Sequence, residues 1–374
     1  MIKRQYKIIS MVILSSLLVG CWDYEDINKK NIALSVGIDE KEGMIQLVAE
    51  NAKLSSEIRG KSEQSQLTQD YQNLSQGKNF EDVRGEHEYT VPQSNFTGAM
   101  RAVVFSKSYA EKGIESYINR INFLIELRKS LLVVICNEPV KDFLKTEIKN
   151  DINISYAIED TIKKLAKDGR SLFDTAQEVQ AYIQNKDLGF VIPYVGIKDY
   201  AVEFQGLAVM KDSKMIGLIN KKEIDGFIFL LLKNPIMNKT VYSDGDEKRQ
   251  YAFQAKLKKR KVKTSYKDKK INIDVDLQIN FSIKYQYKIE PLNKNKIKEV
   301  ESEVSQMIYK EVMYAINKSQ KDYKCDIFQF GKYFKANNPK DYRRINWNEE
   351  YPDANINVNV NTHLTNVNLR NVEQ

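Results

Sequence analysis

Histidine and cysteine are nearly missing from this sequence, with two of the first and three of the second in 374 residues. A metal site built on these side chains needs three or four ligands at set spacings, and His87 and His363 stand far apart. No H-E-x-x-H, C-x-x-C, G-x-S-x-G or P-loop pattern occurs. These absences argue against an enzyme, and no cofactor or metal is called for. Cys136 closes an apolar run and reads as a core thiol, and Cys325 lies in a polar segment. Two distant cysteines fix no disulfide framework. Long hydrophobic runs are also lacking beyond the first twenty residues. Leu131–Cys136 and Phe227–Leu232 fall far short of the about 20 residues that cross a bilayer.

Strong charge of one sign is absent too. The net charge is +8, and removal of the first twenty residues takes away Lys3, Arg4 and Lys7 with no acid, leaving +5. Such mild basicity suits a body near anionic lipid and is no nucleic-acid signal. The densest basic stretch, Lys256–Lys270, carries nine Lys or Arg against Asp268, with Tyr266 as its only aromatic. Single-strand binding stacks bases on several aromatic rings, so no nucleic-acid partner is expected. Lysines guarding a sheet edge explain the stretch. Contact of Lys258, Lys259, Arg260 and Lys261 with lipid head groups or an acidic partner is the functional alternative. His87, within Gly85–Glu88, reads as part of a surface loop, and His363 as a solvated side chain. Ser243–Glu247 packs three acids around a glycine without EF-hand spacing, and reads as a turn.

The N-terminus is the most informative segment. Three basic residues precede an apolar stretch, Ile8–Val19, interrupted only by serines. As a helix it would be about 18 Å long, too short for a core of about 30 Å. A basic start, a short apolar run and a small residue at its end describe an export signal. Leu18-Val19-Gly20-Cys21 resembles the bacterial lipobox, in which the chain is cut between residues equivalent to Gly20 and Cys21. The Cys21 thiol is then expected to carry diacylglycerol, and two acyl chains hold a protein at a membrane where one is marginal. Trp22 would then either lie among head groups or dock on the protein body.

Periodicity outlines the rest. Residues 31–52 read as a β-hairpin. Lys53–Glu88 is polar and long for a structureless loop, so it is either an excursion or hides a strand. Arg101–Ser106 and Ser130–Asn137 read as strands, the second buried on both faces. Tyr109–Leu127 reads as helical with a break near Gly113, Pro139–Lys149 as a short helix, and Ile154–Ala166 as a helix stopped at Asp168-Gly169. Thr175-Ala-Gln-Glu178 is a capping box, and Phe190–Val195 is extended. Past Tyr200, Phe204–Leu218 forms a hairpin and Glu223–Leu232 a helix. Tyr251–Val262 and Ile271–Tyr287 are long strands, the second alternating without a break. Ile297–Ala315 is an amphipathic helix of about six turns. Ile356–Leu364 is a strand with one wet face, whose parity changes after Asn366, marking a bulge or strand end. The expected fold class is α+β, or mixed α/β, in more than one domain. Mixed and antiparallel sheets flanked by helices would fill a signal peptide at 1–20, an N-terminal domain at 21–200 and a C-terminal domain at 201–374.

These residues carry a resemblance to a known family. Gly20-Cys21-Trp22-Asp23 leads to Val36-Gly37-Ile38-Asp39. Ala102–Ala110, Gly113-Ile114, Arg120, Arg128–Ser130 and Leu131–Cys136 follow. Then come Gln205–Val209, Lys214–Gly217 and Gly226–Leu230. Gln320, Tyr323, Asp326–Gly331, Trp347 and Tyr351-Pro352 complete the order. Together they resemble the Ger(x)C family, the lipoprotein C subunits of bacterial spore germinant receptors. No such landmark falls between Lys53 and Thr90. The resemblance implies an accessory subunit anchored through Cys21 on the outer face of the inner spore membrane, acting with membrane-embedded A and B subunits. It leaves open which nutrient is sensed and whether this chain touches it. A solute-binding lipoprotein of a transport system is the rival reading.

Overall fold

The computed structural model describes residues 30–53, 69–149, 151–242, 250–289 and 291–367. Gly20, Cys21, Trp22 and the Ser243–Glu247 turn lie outside them.

Among the described residues nine strands build the first, mixed sheet. They are β1 (Asn31–Lys41), β2 (Met44–Lys53), β3 (Gln69–Gly77), β4 (Asn95–Phe96), β5 (Ala102–Ser106), β6 (Leu132–Cys136), β7 (Phe190–Lys198), β8 (Ala201–Lys211) and β9 (Lys214–Asn220). The order is β3-β2-β1-β5-β6-β7-β8-β9, with the short β4 beside the start of β1. The middle of the sheet is parallel and both ends are antiparallel hairpins. Parallel neighbours require crossovers, and helices supply them on both faces. Val133 and Ile135 of β6 pack with Ile118 and Val179 of the helices Glu115–Phe123 and Ala176–Gln184. Leu132, Val134 and Cys136 face the other way, onto Phe143 and Ile158 of the helices Val140–Leu144 and Ile154–Lys167. Double coverage is why β6 reads as an uninterrupted apolar run. The break expected at Gly113 is real and separates Lys107–Lys112 from Glu115–Phe123. Thr175 and Glu178 form the capping box in both directions.

The polar stretch after Lys53 holds β3 and then the helix Phe80–Thr90, which starts on an Asn79 cap. β3 left no apolar signature because, among the described strands, it is the outermost one, paired only with β2. The hairpin beyond residue 200, β8–β9, continues the first sheet.

The second sheet comprises β10 (Ile236–Tyr242), β11 (Gln250–Lys267), β12 (Lys270–Gln286) and β13 (Asn355–Val367), in that order. β13 is parallel to β12 and the other pairs are antiparallel. Val300, Val304, Ile308 and Val312 of the Lys294–Asn317 helix pack on its inner face. On the wet face Asn357 and Asn359 donate to Asp274 and Asp276, at 3.0 and 3.3 Å. The parity change in β13 is a bulge at Thr365, where Phe281 faces Leu364 and Ser282 faces Asn366. β12 differs from its even alternation: a register shift between Ile283 and Tyr285 leaves Tyr285 and Tyr287 exposed, with their hydroxyls 3.0 Å apart.

Candidate functional site

Lys258, Lys259 and Lys261 are exposed on β11, as the edge and contact readings both require. Beyond Lys256 no described strand pairs with this side of β11. Arg260 behaves differently. A bulge at Lys258 shifts the register between Leu257 and Lys259. Parity reverses there, and Arg260 turns to the face that earlier carried Ala255 and Leu257. Its Nη1 donates to the carbonyls of Phe229 and Leu232, at 2.8 and 3.2 Å. Arg260 therefore closes the C-terminal end of the Ile224–Leu231 helix, where carbonyls lack partners. Burial lowers its pKa from the ordinary value. The bulge also accounts for the imperfect alternation of this stretch.

His87 is not on a loop. It lies on the Phe80–Thr90 helix, half-buried, with Nδ1 3.2 Å from Ser75 Oγ and Nε2 2.7 Å from Asn95 Nδ2. Burial lowers its pKa, so the ring is held neutral. An amide that donates to Nε2 leaves Nδ1 to donate to Ser75. The set looks like a hydrolase relay, yet Ser75 is fully buried, where no substrate carbonyl reaches it. Beside this ring lies a cavity of about 260 Å³, lined by Ala33, Leu47, Val83, Met100 and Tyr117 among others. No local pattern in the sequence marked it, because its walls come from five separate segments. His363 is exposed, 3.2 Å from Glu301 Oε1. Cys136 and Cys325 are buried free thiols in different cores. Among the described residues no cluster of three His, Cys, Asp or Glu could hold a metal ion.

The landmark residues near the C-terminus form one buried knot. The Asp326 carboxylate accepts from the backbone amides of Phe328 (3.2 Å), Phe330 (3.1 Å) and Gly331 (2.7 Å), and from Trp347 Nε1 (3.2 Å). It thus satisfies the first amides of the Phe330–Asn337 helix, entered through Gln329 in the left-handed region. Gln320 donates to the carbonyls of Tyr351 and Ala354. The knot reaches the first sheet, because Gly189 donates to the Asp326 carbonyl and Gln329 donates to the Gly189 carbonyl. These motifs therefore build a scaffold; none presents a reactive group.

Residues 23–197 match the family described as "Spore germination protein N-terminal domain". Residues 205–368 match "Spore germination B3/ GerAC like, C-terminal". The chain belongs to the Ger(x)C family. Spore germination protein A3 of Bacillus subtilis (strain 168) is 22% identical over 284 residues, covering 70% of this chain and 69% of that protein. Spore germination protein YndF of the same organism is 22% identical over 396 residues, covering 97% of each. The crystal structure of the GerBC protein superposes with a TM-score of 0.56 at 15% identity, covering 92% of this chain and all of that one. The Ger(x)C match spans the polar region from Lys53 to Thr90, which carried no landmark.

Proposed function

We propose that this Ger(x)C protein is the lipid-anchored subunit of a spore nutrient-germinant receptor, working with membrane-embedded A and B subunits on the outer face of the inner spore membrane. The observation that carries the reading is the match of two spore-germination families over 23–197 and 205–368, joined in sequence to a lipobox ending at Cys21. No described helix is long and apolar enough to cross a membrane, which gives the Cys21 anchor its purpose. The protein works as a scaffold without an enzymatic step. Its basic face, Lys258, Lys259 and Lys261, meets anionic head groups or an acidic partner, and high salt weakens that contact.

Deleting the gene blocks germination by particular nutrients while other triggers still act, and Cys21→Ser reproduces the loss while abolishing palmitate labelling. Normal nutrient responses after deletion would refute the reading. A solute-binding lipoprotein needs two lobes free to close on a ligand. Here Val191, Leu207 and Val209 of the first sheet share one core with Phe229, Phe253 and Phe281 of the second unit.

A further inference from the structure

Four large apolar side chains stand in solvent at one end of the first sheet: Tyr89 (93% exposed), Phe123 (81%), Ile125 (95%) and Phe96. Single exposed apolar residues are ordinary, but a group of them marks a surface that meets something. Their placement follows from the topology. β4, which holds Phe96, pairs with Asn31 and Ile32 at the start of β1. Asn31 donates from its backbone amide to the Ser94 carbonyl at 3.0 Å, and from its side chain to the Gln93 carbonyl at 2.9 Å. Thr97 Oγ1 donates to the Glu126 carbonyl at 2.6 Å, which ties the Phe123–Leu127 turn to the same end. His87 and Asn95 bring the last turn of the Phe80–Thr90 helix, with Tyr89, to the same place. Val91, Asn95, Thr97, Leu124 and Leu127 wall a single cavity, so the three segments meet.

This is also the end at which the chain arrives from Cys21. Asn31 lies ten positions after Cys21, a reach of at most about 35 Å when fully extended. An acylated Cys21 holds the start of β1 within that distance of the bilayer. On the face beside β1, Tyr89 is of the kind favoured at head groups, and Phe96, Phe123 and Ile125 are apolar groups that gain by sinking into the head-group and acyl boundary. Its rim is mixed in charge, with Glu88 and Glu126 exposed beside Tyr89 and Ile125. Arg128 is exposed, and Lys129 Nζ donates to the carbonyls of Leu124 and Leu127, holding the turn in shape. We infer that the tip formed by Tyr89, Phe96, Phe123 and Ile125 docks into the head-group layer of the membrane that holds the lipid anchor. The docking fixes which end of the first sheet points down. This deepens the proposed function and rests on acylation of Cys21.

The test uses the full-length chain, acylated at Cys21, in vesicles of phosphatidylglycerol and phosphatidylcholine. An environment-sensitive fluorophore is placed on Ile125→Cys or, for reference, on Tyr287→Cys beyond β12. Cys136 and Cys325 are buried, so labelling is confined to the introduced thiol. Nitroxide carried on lipid quenches the probe at 125 at least fivefold more than the probe at 287. Equal or weaker quenching at 125 overturns the inference. Shielding of position 125 that appears only when the membrane subunits share the vesicle makes this a protein-docking face, and also overturns it. Flotation of the Cys21→Ser chain separates the two ideas. If flotation is lost, the anchor stands, and missing quench in the acylated chain counts against the docking face alone. If flotation is unchanged, the tether on which the face depends is gone, and both fail.

Discussion

Asp326 and Asp174 are acids placed where water barely reaches. Burial pushes Asp326 up to about 6, against the pull of the Gly331, Phe330 and Phe328 amides and the Trp347 indole. Burial, with Glu178 nearby, pushes Asp174 up to about 7, and its Oδ2 has no hydrogen-bond partner. Both folded values lie above the ordinary carboxylate range near 4. Between about pH 4 and pH 7 the folded protein therefore holds protons that the unfolded chain has released. Stability is greatest at the acid end of that window and falls as pH rises through it. For Asp326 this difference is worth about 3 kcal/mol. His87 acts in the opposite sense below about pH 6.5, since a ring held neutral by burial loses stability as pH falls. Urea unfolding across pH should show Asp174→Asn flattening the upper half of the acid-side slope. Asp326→Asn sets an NH₂ group against donors, leaving at least one of them unpaired in the interior. It should lower stability at pH 7.5 by about 2–3 kcal/mol. None of this was legible in the sequence. Asp326 could be marked as a landmark, but the donors that converge on it come from two elements.

Elements met at close range explain other landmarks. An added Cβ at Gly226 would stand 1.9 Å from the Glu311 carbonyl oxygen, a backbone atom that cannot turn aside. The Ile224–Leu231 and Lys294–Asn317 helices thus touch backbone to side at this glycine. Gly226→Ala should separate them and lower stability by about 3 kcal/mol, read as a fall in the urea midpoint with an unchanged slope. Both helices were legible from their apolar spacing. Their crossing point was not, since periodicity names the buried face of each helix but not what it faces. Bulges limit strand reading in the same way. One extra residue at Lys258 exchanges the two faces of β11, so Arg260 stands in a run of lysines yet points inward. At Thr365 the parity change itself was visible, because the apolar residues hold even positions from Ile356 to Leu364 and odd ones at Val367 and Leu369.

At the scale of the molecule, the two matched families meet inside the fold. β8–β9 extends the first sheet past residue 200, and Tyr342 donates to Asp187 across the two units at 2.7 Å. A piece ending at residue 200 would lose β8 and β9 and expose Val191 and Ile192 of β7, which are buried in the whole chain. That piece, produced alone, should fail to fold. Far-UV circular dichroism and gel filtration would check this, with the full chain unfolding in one coincident transition by far-UV and near-UV signals. A stable, monomeric piece with native strand content would show that the units stand apart.

Local chemistry that acts in order along the chain was readable from the sequence alone. The doubly covered β6, the capping box at Thr175 and the amphipathic helix before Asn317 each depend on neighbours a few residues away. Their periods and caps are written in consecutive residues. The tertiary structure alone decided which strands lie side by side, where bulges reverse a face, how Asp326 is enclosed, and that Tyr89, Phe96, Phe123 and Ile125 share the end of the sheet where the chain arrives from Cys21. Those outcomes depend on contacts between residues tens to more than a hundred positions apart, formed when separate apolar faces are removed from water together.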